Sequence, residues 1–141
     1  MPEDDPVGIP NGTRLFRRAD PTFKTYDSNR KQWRPTSQVF QDSNDGTPMS
    51  VFAENVAIEH GETPQGFLQG RWAEWYLVAV FSEDMRTHGQ KVYLDPHNQD
   101  LNDSYHSHAA VEGRKDPKTR KKLSQRYEWV IPPPDLFDPP E

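Results

Sequence analysis

The stretch Trp75–Ser82 (WYLVAVFS) constrains the fold more than any other part of the chain. It is the longest unbroken apolar run in a sequence whose mean hydropathy is -1.04. It lacks alternation, is rich in β-branched and aromatic residues, and is short for a buried helix. Those features predict a strand covered on both faces. We therefore expect residues 75–82 to form the middle of a sheet, with the rest of the chain arranged to cover it.

Little apolar material is available for that cover. Hydrophobic residues make up 32% of the sequence, and fourteen prolines favour loops. Four Trp, five Tyr and seven Phe compensate, because each buries a large area. A chain of 141 residues then suggests one domain with a thin core. The expected fold is a single small α+β domain, with a mostly antiparallel or mixed sheet, a few short helices and long loops. Residues 1–11 read as a flexible N-terminal tail, 12–132 as the domain, and 133–141 as a Pro-rich acidic C-terminal tail.

Local signals place the elements. Arg14-Leu15-Phe16-Arg17-Arg18 predicts a short first strand near an edge, ended by Asp20-Pro21. Residues 20–48 read mostly as loop, with a turn at Asp27-Ser28-Asn29, and Met49–Phe52 as a short strand. Ala53–His60 carries helical spacing and Gly61 as its stop. Thr63-Pro64 opens a short turn, and Ser82–Arg86 an N-capped one ended by Gly89. Lys91–Leu94 and His106–Val111 are expected strands. Asp116-Pro117 opens a basic helix running to about Arg126, and Tyr127–Ile131 is the last strand. The expected core is Leu15, Phe16, Phe40, Phe52, Val56, Phe67, Leu77, Val78, Val80, Phe81, Val92, Leu94, Val111, Leu123, Trp129 and Ile131.

The formal charge of -5 conceals a block pattern. Residues 14–34 carry +5 and residues 114–126 carry +6, while residues 35–113 carry -9. A general nucleic-acid coat would be basic overall, so that class is disfavoured. Cysteine is absent, which excludes disulfide frameworks and thiolate metal sites. With neither a signal-peptide pattern nor a membrane-length apolar run, the expected setting is soluble and cytoplasmic.

Three constellations carry possible chemistry. Asp95, His97, His106 and His108 combine imidazoles with a carboxylate. On a strand His106 and His108 would share a face and could hold zinc or another divalent ion. Alternatively, His106 or His108 could act as a general base without metal. Set against both is a group of solvated loop histidines. Arg17, Arg18, Arg34 and Ser37 form the second set, since guanidinium forks beside hydroxyls suit phosphate or carboxylate. Pairing with the acidic body is the simpler role for them. The third is the basic helix, with Arg114, Lys115, Lys118, Arg120, Lys121, Lys122 and Arg126, which could meet phosphates or remain a solvated face. P-loop, GxGxxG, GxSxG, HExxH and kinase signatures are missing. Glu54, Glu59 and Glu62 read as surface charges.

Leu15-Phe16-Arg17-Arg18, Arg34-Pro35-Thr36-Ser37 with Phe40, Met49-Ser50-Val51 and His108-Ala109 before Gly113 resemble short, uncharacterised bacterial proteins of about this length. The resemblance spans most of residues 14–132 and implies no activity. The Arg-then-Ser order also resembles NAD-dependent ADP-ribosyltransferases, but no catalytic glutamate can be placed in the required strand context.

The expected function is a small accessory or interaction protein whose partner is another protein. The alternative is a small enzyme acting on a phosphate-bearing or nucleotide substrate, NAD-using or a metal-dependent hydrolase. It would use His106 or His108 with Arg17 and Arg34. No cofactor follows from the residues. In the C-terminal tail, Leu136 and Phe137 have nothing local to bury them, so they either fold back or enter a partner's pocket.

Overall fold

The computed structural model describes residues 9–43, 46–95 and 105–141. Among these residues eight strands form two sheets. Six of them, β1 (Arg14–Ala19), β4 (Met49–Ala53), β5 (Tyr76–Phe81), β6 (Lys91–Leu94), β7 (His108–Glu112) and β8 (Glu128–Ile131), form the main sheet. Its order is β6-β7-β4-β1-β5-β8, and every pairing is antiparallel. The other two, β2 (Lys24–Asp27) and β3 (Gln32–Pro35), form a separate hairpin. The helices are α1 (Glu54–Glu59), α2 (Ser82–Thr87) and α3 (Pro117–Leu123). This is the α+β architecture that the sequence predicts.

Strand alternation splits the core in two. Leu15, Val51, Val78, Val80, Val92, Ala109 and Val111 turn to one face, where Ile9, Val39, Phe40, Met85 and Leu123 cover them. Phe16, Phe52, Leu77 and Ala79 turn to the other, under Ala57 and Phe67. There Phe67 stacks on Phe52 at 4.0 Å, and Tyr105 meets Phe52 edge-on at 5.3 Å. Such pairs add about 0.5–1.5 kcal/mol each beyond their buried area. That is how a chain this polar closes a core on both sides of one sheet.

Two expectations about strand position are corrected. β5 is buried at all six residues, yet it is second from an edge. The strand at Arg14 was expected near an edge but lies inside, between β4 and β5. Burial on both faces reports helices above and below, not centrality within the sheet. β5 has such cover although only β8 lies beyond it.

Other differences are local. Residues 20–48 hold the β2–β3 hairpin, turning through Ser28–Lys31, where Lys31 takes a φ of 55°. Phe81, not Ser82, occupies the cap position of α2. The Ser82 hydroxyl donates to Pro10 and accepts from the Thr13 N–H, tying the N-terminal segment to the sheet. Ile9, expected in the flexible tail, is accordingly buried in the core. Asp116 caps α3 by accepting the Thr119 N–H at 2.8 Å, as its sequence predicts, but the helix ends at Leu123, short of Arg126. Of the expected core, Val56, Leu94, Trp129 and Ile131 are only partly buried, because they sit on a short helix or on the edge strands.

Candidate functional site

The arginines of β1 do not form a joint site. Adjacent residues on a strand face opposite ways, and Arg17 and Arg18 accordingly leave the sheet on opposite sides. The Arg17 guanidinium donates to the carbonyls of Val39, Ser50 and Gln41 at 2.9, 2.8 and 3.2 Å. Desolvation holds it below the ordinary arginine value, at about 10, so it is still a cation at neutral pH. Its donors fasten the 39–42 segment to β4. Arg18 lies on the aromatic face, with its guanidinium 3.6 Å from the Trp72 ring centroid and 4.7 Å from that of Phe52. Its Nε donates to the Phe67 carbonyl. Arg34 is exposed on β3, and Ser37 opens a half-buried 3-10 turn, Ser37–Phe40.

The histidines also separate. His106 lies in a turn before β7 rather than on it, so the shared strand face expected for His106 and His108 does not arise. His108 is 1% exposed. Its Nδ1 donates to the Asp95 carbonyl, while the Asp95 N–H donates to the His108 carbonyl at 2.8 Å. Asp95 thus meets His108 through its main chain. His106 is an exposed ring stacked on His60 at 4.0 Å, with Nδ1 3.4 Å from Glu62. Among the described residues no three His, Asp or Glu side chains gather to hold a metal. His97, the remaining member of the expected set, lies outside the described residues.

Glu62 has a definite structural role that sequence reasoning missed. It accepts the Ser107 hydroxyl at 2.6 Å and the N–H groups of His106 and Ser107 at 2.8 and 3.2 Å. Partial desolvation raises its pKa, but these bonds outweigh it and hold the carboxylate below its ordinary value. The carboxylate clasps the 105–107 turn to the loop after α1. Local sequence gives no sign of this, because the partners are more than forty residues away. Lys115 does similar work on the other face. It reaches Asp42 at 2.6 Å and the Val111 carbonyl at 2.7 Å, and desolvation depresses its pKa despite the Asp42 charge.

The most distinctive surface feature is the C-terminal segment on the β2–β3 hairpin. Lys24 pairs with Asp135 at 2.7 Å. The Trp33 N–H donates to the Leu136 carbonyl at 3.0 Å, and its indole N–H to the Asp138 carbonyl at 2.7 Å. Tyr26 braces the Trp33 ring edge-on at 5.6 Å, and the Lys24 ammonium lies 5.0 Å from the ring centroid. The hairpin is held in turn from the core, where the Tyr76 hydroxyl donates to the Phe23 carbonyl. Of the two apolar tail residues, Leu136 is half-buried against this platform, whereas Phe137 projects outward, 70% exposed. The tail therefore folds back at Asp135, Leu136 and Asp138 and presents Phe137. Proline spacing and the Leu-Phe pair were legible in sequence, but the Trp33 anchor was not.

No family model, curated protein or solved structure matches the chain. No helix among the described residues is long and apolar enough to cross a membrane.

Proposed function

We propose that the chain is a small accessory or protein-interaction protein that engages its partner through the C-terminal segment. The observation that carries this reading is Phe137. It is 70% exposed, yet the residues on either side of it are fixed to Trp33. An aromatic residue held outward on a pre-ordered segment loses little entropy on docking, and such rings dominate interface energetics. The flanking Asp135 and Asp138 suit a partner whose apolar pocket has a basic rim. The cysteine-free composition supports a cytoplasmic setting.

The enzyme alternative loses support because its three residues do not converge. Arg17 is bound to carbonyls on one face of the sheet, His108 is buried on the other, and Arg34 is exposed on the hairpin.

Quantitative affinity capture from the source cell tests the proposal, with wild-type chain and Phe137→Ala as baits of equal melting temperature. Losing a buried Phe costs about 1.5–3 kcal/mol, roughly tenfold or more in affinity. A partner retained by the wild type and lost by the variant is expected, with capture weakening as salt rises. Identical partner sets from both baits would refute it.

A further inference from the structure

One face of the β2–β3 hairpin is built as a seat. Directly opposed residues of an antiparallel pair share a face, as do residues two apart on one strand. The register Tyr26↔Trp33 and Lys24↔Pro35 therefore turns Lys24, Tyr26, Trp33 and Pro35 to one side, and Thr25, Asp27, Gln32 and Arg34 to the other. The Asp27 carboxylate is also engaged in its own turn, where it accepts the Asn29 and Arg30 N–H groups. Contacts that do not involve the tail fix the seat to the domain: the Tyr76 hydroxyl and the Thr36 N–H both donate to the Phe23 carbonyl. The segment that occupies it is a compact turn. Its Leu136 N–H donates to the Pro133 carbonyl at 3.2 Å, and its Asp138 N–H to the Asp135 carbonyl at 2.9 Å. It meets the hairpin through the Asp135 carboxylate on Lys24, the Leu136 carbonyl on the Trp33 N–H and the Asp138 carbonyl on the Trp33 indole. The last two are main-chain acceptors, so the seat reads a backbone shape as well as a charge. The join to the domain, Pro132-Pro133-Pro134, has no N–H to donate.

We infer that the hairpin is a receptor for a proline-flanked acidic turn, Asp-Leu-x-Asp, of another protein, and that the chain's own tail occupies it in cis as a competitor. Lys24 reads the first carboxylate, and Trp33, braced by Tyr26, reads the two carbonyls. Position x is unread, because Phe137 is 70% exposed in the seated tail. The cis hold is shallow enough to be displaced. Asp135 keeps 42% of its side chain exposed in the pair with Lys24, and Leu136 is only half-buried. A second copy of this chain is disfavoured as the source of the turn. Exchange between copies would reproduce the same contacts and give up the tether, and a short tether holds its segment at an effective concentration on the order of millimolar. A segment of another protein can add contacts that the tail lacks. The hairpin turn next to the Tyr26–Trp33 pair carries exposed Arg30 and Lys31, which suit further carboxylates.

Fluorescence anisotropy with a labelled peptide of residues 132–141, added to the full-length chain, tests the inference. In the wild type the tethered tail should keep peptide binding weak. Asp135→Lys/Leu136→Ser in the full-length chain unseats the tail and should strengthen binding roughly tenfold or more. Adding Trp33→Ala to that chain should abolish the gain. Within the peptide, Asp135→Lys or Leu136→Ser should lose binding, whereas Phe137→Ala should keep it. That last result separates the seat from the Phe137 contact proposed above, which can fail or hold independently. A Lys24→Glu chain should reject the native peptide and accept the Asp135→Lys peptide, a reversal that misfolding cannot produce, and melting temperatures establish that each variant is folded. The inference is overturned if wild type and the unseated chain bind the peptide equally, if a scrambled peptide binds as well, if Phe137→Ala abolishes peptide binding, or if the charge swap fails. Wild-type dimers that grow with concentration and are lost in Trp33→Ala would assign the seat to a second copy and overturn the assignment to another protein.

Discussion

Arg17→Met tests whether Arg17 is a structural cation rather than an anion site. The substitution keeps an unbranched chain of similar reach but removes every donor, leaving the carbonyls of Val39, Ser50 and Gln41 without their charged partner. At about 1–3 kcal/mol per orphaned acceptor, the loss centres near 6 kcal/mol. Against it stands the relief of burying one charge less. Desolvation depresses the guanidinium below its ordinary value, to about 10, a cost of about 3 kcal/mol at roughly 1.4 kcal/mol per pKa unit. The net expected destabilisation is about 3 kcal/mol, and the melting temperature should fall by roughly 10 °C for a domain of this size. Urea unfolding followed by tryptophan fluorescence measures it. Arg17→Lys should recover only part of the loss, because one ammonium cannot reproduce a planar fork spread over three carbonyls. Phosphate should not raise the wild-type melting temperature through Arg17, whose donors are already engaged. A variant within about 0.5 kcal/mol of wild type, inside the usual range for inert surface changes, would refute the reasoning.

Two further outcomes follow from the clasps. Glu62→Ala should cost about 1–3 kcal/mol at neutral pH. Because the Glu62 pKa is depressed in the fold, its contribution is present above the unfolded carboxylate value and is lost as pH falls through the folded one. The wild-type minus variant difference in urea midpoint should therefore shrink towards zero in acid, and a pH-independent difference would contradict the carboxylate clasp. Trp33→Ala removes the indole donor to Asp138 and the ring beside Lys24. Limited proteolysis should then cut within residues 133–141 faster than in wild type while the main sheet is unaffected, and unchanged cleavage would show that Trp33 does not hold the tail.

Sequence patterning exposed the elements whose signals are local. Residues 76–81 of the unbroken run form a strand buried on both faces, Gly61 and Gly89 end α1 and α2 with φ of 68° and 84°, and Asp116 caps α3. It misjudged features set by distant partners. β1 looked like an edge because two cations follow Phe16, yet Arg17 is satisfied by carbonyls from 22 to 33 residues away and Arg18 by an aromatic wall. The expected histidine pair failed for a different reason. The i, i+2 rule needs both residues on the strand, and β7 begins only at His108. Glu62 read as a surface charge because its three donors come from the 106–107 turn.

The two basic blocks look equivalent in sequence, but the fold treats them differently. In residues 14–34, Arg14 bridges Glu54 and Glu128, Arg17 binds carbonyls, Arg18 stacks on Trp72, and Lys24 holds the tail through Asp135. Four cations of that block are thus structural, and only those of the hairpin turn and β3 remain outward. In residues 114–126, Lys115 is drawn inward to Asp42, and Arg126 lies over Phe81 beside Glu83 and Asp84. The lysines on the outer face of α3 have no such destination. Leu123 fixes the inward side of the helix, so helical geometry turns Lys118, Lys121 and Lys122 outward together. Partnering, not block charge, therefore decides which cations are available to a ligand. For that reason charge reversal on α3 should cost little stability, whereas loss of Arg17 should cost much.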